Sequence, residues 1–157
     1  MDRSVSGIYQ LEARTRLARP IFGDATRAGF PSPAEDYIEG MIDLNRALII
    51  HPLQTYFARV EGDSMVDAGI PDGSFVAFDT HIESGDKDIV IASVNDDFFI
   101  KTLMESDERL WLEPANEAHP PIEITEDTDF RIVGCVTFVF HWVARVYVPG
   151  YRLVRCR

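Results

Sequence analysis

Ser64 and Lys101 are the residues of this chain best placed to do chemistry, and they stand in contrasting settings. Ser64 lies in Glu61-Gly62-Asp63-Ser64-Met65, a small-residue turn closing the strand-like run Tyr56–Val60. Lys101 ends the apolar run Phe98-Phe99-Ile100 and is one of two lysines among 15 basic side chains. A serine hydroxyl is a poor nucleophile at neutral pH and needs a base within hydrogen-bond reach. An amine can be that base only when neutral, and burial lowers its pKa from ~10.4 by disfavouring the ammonium form. Phe98, Phe99, Ile100 and Leu103 offer such surroundings. A serine on a tight turn and a desolvated lysine make the Ser-Lys variant of hydroxyl activation. The turn would add backbone N–H groups of Ser64 and Asp63 as donors to a developing oxyanion. Each residue also has a plainer reading. Gly-Asp-Ser is a common strand-end turn, and a strand lysine can snorkel to solvent.

Positioning such a pair requires rigid elements around both residues. Tyr56–Val60, Ser74–Asp79, Asp88–Val94, Phe98–Leu103, Leu110–Leu112 and Phe130–Trp142 are rich in β-branched and aromatic residues. Turn clusters Pro71-Asp72-Gly73, Ser84-Gly85-Asp86 and Asn95-Asp96-Asp97 separate several of them. Short strands without intervening helices predict a mainly β protein, a compact, twisted, mostly antiparallel β-body. The run Ile132–Val148 is long enough to cross that body as a hairpin or one curved strand. Before the strands, Ser32-Pro33-Ala34-Glu35 has the residues of a helix start. Tyr37, Met41, Leu44 and Leu48 continue it as one apolar stripe, and His51-Pro52 ends it. One amphipathic helix is therefore expected. Residues 1–31 show no sustained period and read as a flexible arm, with at most a short helix near Tyr9–Leu17.

The net charge of −11 is unevenly spread: residues 1–28 carry +2 and the remainder −13. A body that acidic is unsuited to tracking a phosphate backbone, so no direct nucleic-acid binding is expected. The arm is also too short for a helix-turn-helix. Residues 142–157 turn basic, with four arginines and no acid. The expected organisation is an arm over 1–28, a catalytic domain over 29–141 and a basic extension over 142–157. No apolar run approaches a membrane span and no signal core opens the chain, which predicts a soluble, cytoplasmic protein. Cys135 and Cys156 read as a buried thiol and a terminal one. His51, His81, His119 and His141 form no recognisable arrangement with Ser64, and no histidine or cysteine pair has metal-ligand spacing. No cofactor is expected.

Several stretches together resemble the UmuD family of self-cleaving SOS proteins, within the wider LexA-like group. They are Gly29–Tyr37, Ile42–Asn45, His51-Pro52, Thr55-Tyr56-Phe57, Gly62–Ile70 and Asp88–Ala92, followed by Lys101. The pieces keep the family's order over about residues 20–140. The resemblance implies a LexA-like peptidase fold with Ser64 as nucleophile and Lys101 as general base. It places the scissile bond at Ala28-Gly29, so that the cut would release the basic arm. It also implies a homodimer, stimulation of cleavage by RecA filaments on single-stranded DNA, and service as accessory subunit to a UmuC-like Y-family translesion polymerase. The chain departs from the family pattern at four places, one of them an arm a few residues longer than usual. Thr102 follows Lys101 where a second basic residue often stands, Lys87 replaces a turn glycine, and the tail runs longer. The competing expectation is an uncleaved regulatory subunit of the same polymerase, without enzymatic activity.

Overall fold

The computed structural model describes residues 5–10, 18–22, 38–141 and 143. Ten strands and one short helix follow in chain order. They are β1 (Val5–Gln10), β2 (Ala18–Phe22), β3 (Ile38–Asp43), α1 (Leu44–Leu48), β4 (Thr55–Val60), β5 (Phe75–Asp79) and β6 (Ile89–Val94). Then come β7 (Asp97–Glu105), β8 (Leu110–Glu113), β9 (Ile122–Ile124) and β10 (Phe130–Phe140). Eight of the strands form one antiparallel sheet in the order β1-β4-β5-β10-β6-β7-β8-β9, and β2 pairs with β3 in a separate ribbon. β1 also lies against β7, although four strands separate them in the sheet order, so the sheet curls toward a half-barrel. The mainly β, antiparallel expectation is met.

Local chemistry explains the turns. Asn95 and Asp96 both take positive φ, 49° and 67°, in the tight hairpin where Val94 faces Asp97. That is the backbone of a two-residue primed turn, whose twist suits a hairpin. Lys87, in the position where the resemblance leads one to expect glycine, holds φ 71°. Its N–H still reaches the Leu103 carbonyl at 2.7 Å, and the Leu103 N–H reaches Asp88 at 2.8 Å. The turn is kept, with lysine in a conformation that glycine adopts more easily.

Two apolar clusters flank the sheet. One gathers Val5, Ala58, Val60, Met65, Ile70, Val76, Phe78, Ile91 and Ile100; the other Val90, Ala92, Val94, Phe99, Leu103 and Leu112. The period of two in β6 and β7 sorts neighbouring residues between them. β10 crosses the centre, pairing with β5 and β6, and its register shifts at Ile132/Gly134 and Val136/Phe138. Gly134 permits the close approach. A Cβ there would sit 2.7 Å from the Asp79 carbonyl oxygen and 2.8 Å from the Phe78 ring.

The helix differs from expectation. Residues 38–43 are strand, and only Leu44–Leu48 is helical, capped by the Asp43 carboxylate accepting from the Asn45 N–H at 3.2 Å. The apolar stripe misled because Met41 does not face a core: it is 63% exposed. Pairing Ile38–Asp43 with β2 satisfies the backbone, and tertiary pairing outweighs local propensity. Helix termination before His51-Pro52 agrees with the sequence. The proposed helix start at Ser32–Glu35 lies outside the described residues, as do Tyr37, Ala28-Gly29, Trp142 and residues 144–157. Within the presumed arm, β1 and β2 are paired strands, and Tyr9-Gln10 belongs to β1 rather than to a helix.

Candidate active site

β4 carries the chain to Val60, and the segment after it bends sharply. Gly62 takes φ 86°, and its N–H donates to the Asp72 carboxylate at 2.8 Å. The Val66 N–H then donates to the Asp63 carbonyl at 3.1 Å and the Ala68 N–H to that of Met65 at 3.1 Å, winding a single helical turn over Val66–Ala68. Gly69 ends that turn at φ 76°. Met65 and Ile70 are buried anchors at 1% and 0% exposure, so Ser64 is fixed between a glycine bend and a packed methionine.

Lys101 comes from β7, the long strand between β6 and β8. Its backbone is locked by pairing with Val90, and its side chain shares the parity of Phe99 and Leu103. The Phe99 ring lies with its centroid 5.9 Å from Nζ. Nζ stands 2.6 Å from Ser64 Oγ and donates to the Ile100 carbonyl at 3.1 Å. Ser64 is 5% exposed and Lys101 4%. The structure thus brings together the two residues singled out from the sequence. Removing an amine from water disfavours its charged form, and the Ile100 carbonyl orients it by taking one N–H.

A second group of residues steadies this turn, and sequence reasoning missed it. The loop between β8 and β9 holds both flanks of Ser64. The Asp67 N–H donates to the Ala115 carbonyl at 2.9 Å, and Asn116 Nδ2 donates to the Asp63 carbonyl at 3.1 Å. His119 Nε2 lies 2.7 Å from Asp63 Oδ1. That His119 bond, more than any other contact, holds the Asp63 carboxyl below its ordinary range; slight desolvation opposes it, and the residue's own N–H and Asn116 assist. His119, read from the sequence as unrelated to Ser64, therefore sits one residue from it. Its only sequence signal is an Asn-x-x-His spacing in a loop, which nothing links to residue 63.

The other histidines serve elsewhere. Asp79, 1% exposed, accepts from His51 Nδ1 at 2.9 Å, from Thr55 Oγ1 at 3.3 Å and from the His81 N–H at 2.8 Å. Burial pushes its carboxyl up, but these donors outweigh burial and hold it below the ordinary value. His51 is thus more than a helix-end residue: it clasps the loop before β4 to the end of β5. Among the described residues no group of histidine, cysteine and acidic side chains could hold a metal ion. Cys135 is half-buried and free of disulfide, and burial raises its thiol pKa. Among the described residues no helix is long and apolar enough to cross a membrane.

The fold is thus a curled antiparallel β-sheet that holds a turn serine against a buried lysine. The chain belongs to the Peptidase S24-like family, whose model matches residues 20–137. It is 39% identical over 123 residues to the protein ImpA of Salmonella typhimurium, covering 78% of this chain and 83% of that one. It is 38% identical to the protein SamA of the same species, over 78% of this chain and 84% of the relative. LexA repressor 1 of Xanthomonas axonopodis pv. citri is 41% identical over 119 residues, 75% of this chain and 58% of the repressor. The expected kinship with UmuD-like and LexA-type proteins is thereby met.

Proposed function

We propose that this protein is a self-cleaving serine peptidase of the SOS response that cuts its own chain at Ala28-Gly29. The observation that carries the reading is the 2.6 Å contact between Lys101 Nζ and Ser64 Oγ, with both side chains buried. Family membership supports peptidase chemistry. Lys101 takes the hydroxyl proton as Ser64 Oγ attacks the Ala28 carbonyl carbon, and the N–H of Ser64 faces the oxyanion. The resulting ammonium returns the proton to the Gly29 nitrogen as the peptide bond breaks. Water then attacks the Ser64–Ala28 ester and gives a proton to Lys101, which returns it to Ser64 Oγ as the ester bond breaks, leaving Ala28 with a free carboxylate. A small residue before the cut and glycine after it let an extended segment enter a narrow cleft. Because the substrate is tethered, its effective concentration is high enough for a weak base to suffice.

The same reading assigns a homodimer, acceleration by RecA filaments through a shift toward the cleavable state, and service to a UmuC-like Y-family polymerase. The decisive experiment is intact-mass spectrometry of the purified protein, alone and with RecA filaments on single-stranded DNA. The expected result is a pair of fragments, 1–28 and 29–157, absent in Ser64→Ala. A wild-type chain that stays whole under both conditions would contradict self-cleavage and leave the regulatory-subunit reading.

A further inference from the structure

We infer that the edge of β4 is a docking surface for an extended strand, and that the chain's own residues 5–10 stay on it after the cut at Ala28-Gly29. The inference rests on that proposed cut site, which separates β1 and β2 from the rest of the chain. Both strands are nevertheless paired with the body. β1 runs antiparallel along β4, with Gly7 opposite Arg59, Ile8 opposite Ala58 and Tyr9 opposite Phe57. β2 runs antiparallel along β3, from Ala18 opposite Asp43 to Phe22 opposite Ile38. Breaking one peptide bond between Phe22 and Ile38 removes none of these pairings.

Packing strengthens the hold. Val5, 8% exposed, belongs to the same buried cluster as Ala58, Val60, Met65 and Ile100, and Ile8 packs against that cluster. Met65 is the chain neighbour of Ser64, so β1 covers the apolar cluster in which the serine turn is anchored. Without β1, β4 would become an edge strand with unpaired backbone groups and uncovered apolar side chains, a template for another strand. β1 precedes residues 20–137, the part matched by the family model.

Cleavage alone would then leave a nicked complex, and the β4 edge becomes available only when a competing extended strand displaces residues 5–10. The test uses the full chain as Ser64→Ala, with the recognition sequence of a site-specific protease inserted between Ala28 and Gly29. Cutting is done by the added protease, so the readout does not depend on self-cleavage. Native mass spectrometry of the nicked protein is expected to show both fragments in one complex, heavier than the uncut chain by one water. Val5→Asp or Ile8→Asp in the same background is expected to lose the small fragment on gel filtration. Amide hydrogen exchange provides a readout without core substitutions: β4 protection is expected to match in nicked and uncut protein. Separation of the two fragments on nicking, or loss of β4 protection at that moment, would overturn the inference. Failure of the self-cleavage proposal would appear elsewhere, as a wild-type chain that never cuts itself.

Discussion

Two buried polar pairs sit in the same sheet and do opposite things. At the end of β5, Asp79 gathers three donors, from His51, Thr55 and the His81 backbone. At the start of the loop after β4, Ser64 meets Lys101, which also donates to the Ile100 carbonyl. The first surrounds a carboxylate with donors, and its lowered pKa means the native fold stabilises the charged form. The second joins a hydroxyl to an amine, two groups that can exchange the proton between them. A buried acceptor surrounded by donors is a lock; a buried hydroxyl facing an amine is a place where a proton can move.

Substitutions can break this contrast. The largest effect is expected at the site: Ser64→Ala and Lys101→Ala should each abolish self-cleavage, a loss on the order of a thousandfold or more. Thermal unfolding should show that Ser64→Ala remains folded, because it removes one hydroxyl. At the lock the outcome inverts. Asp79→Ala should cost about 3 kcal/mol in a denaturant titration, since it removes the acceptor of His51 Nδ1 and of the His81 N–H, while Thr55 Oγ1 keeps the His51 carbonyl. The pH dependence follows from the sign of the Asp79 shift. Its folded-state pKa lies below the unfolded value of 3.8, so its contribution is complete above that value and is lost as acid protonates the folded form. Asp79→Asn should therefore flatten the acid limb of the stability curve. A cleavage defect in Asp79→Asn at full stability would erase the distinction between the two pairs.

The clamp on the serine turn sharpens the comparison at smaller scale. Asn116→Ala and His119→Gln should slow self-cleavage by about tenfold while leaving the fold stable, because they loosen the turn without removing either reacting group. Rates followed by intact mass, beside melting temperatures, check both. Equal rates in the variants and the parent would reduce the clamp to surface decoration.

What could be read from the sequence follows the range of the interaction. Ser64 was legible because its glycine-flanked turn is local, and Lys101 because a lysine after Phe98-Phe99-Ile100 conflicts with its surroundings. β4 to β8 and β10 were legible from composition and turn residues. The Asp79 clasp was not, since His51 and Asp79 are 28 positions apart with no shared pattern. His119 and Asp63, 56 apart, meet only because β8 and β9 extend the sheet past the serine turn. β1 and β2 were hidden among arginines, glycine and proline, and their strand character comes from partners already in place. Residues 38–43 illustrate the same limit, since their helical spacing was overridden by pairing with β2.

The account turns on Lys101 acting as a base, and the direct test is the rate of self-cleavage between about pH 7 and about pH 10. A neutral lysine base predicts a rate that climbs by up to about tenfold per unit until the amine is fully deprotonated, then levels. Ser64→Ala should stay uncut throughout. A rate independent of pH across that range would contradict the proton transfer and leave the Ser64–Lys101 contact a structural pair like the one at Asp79.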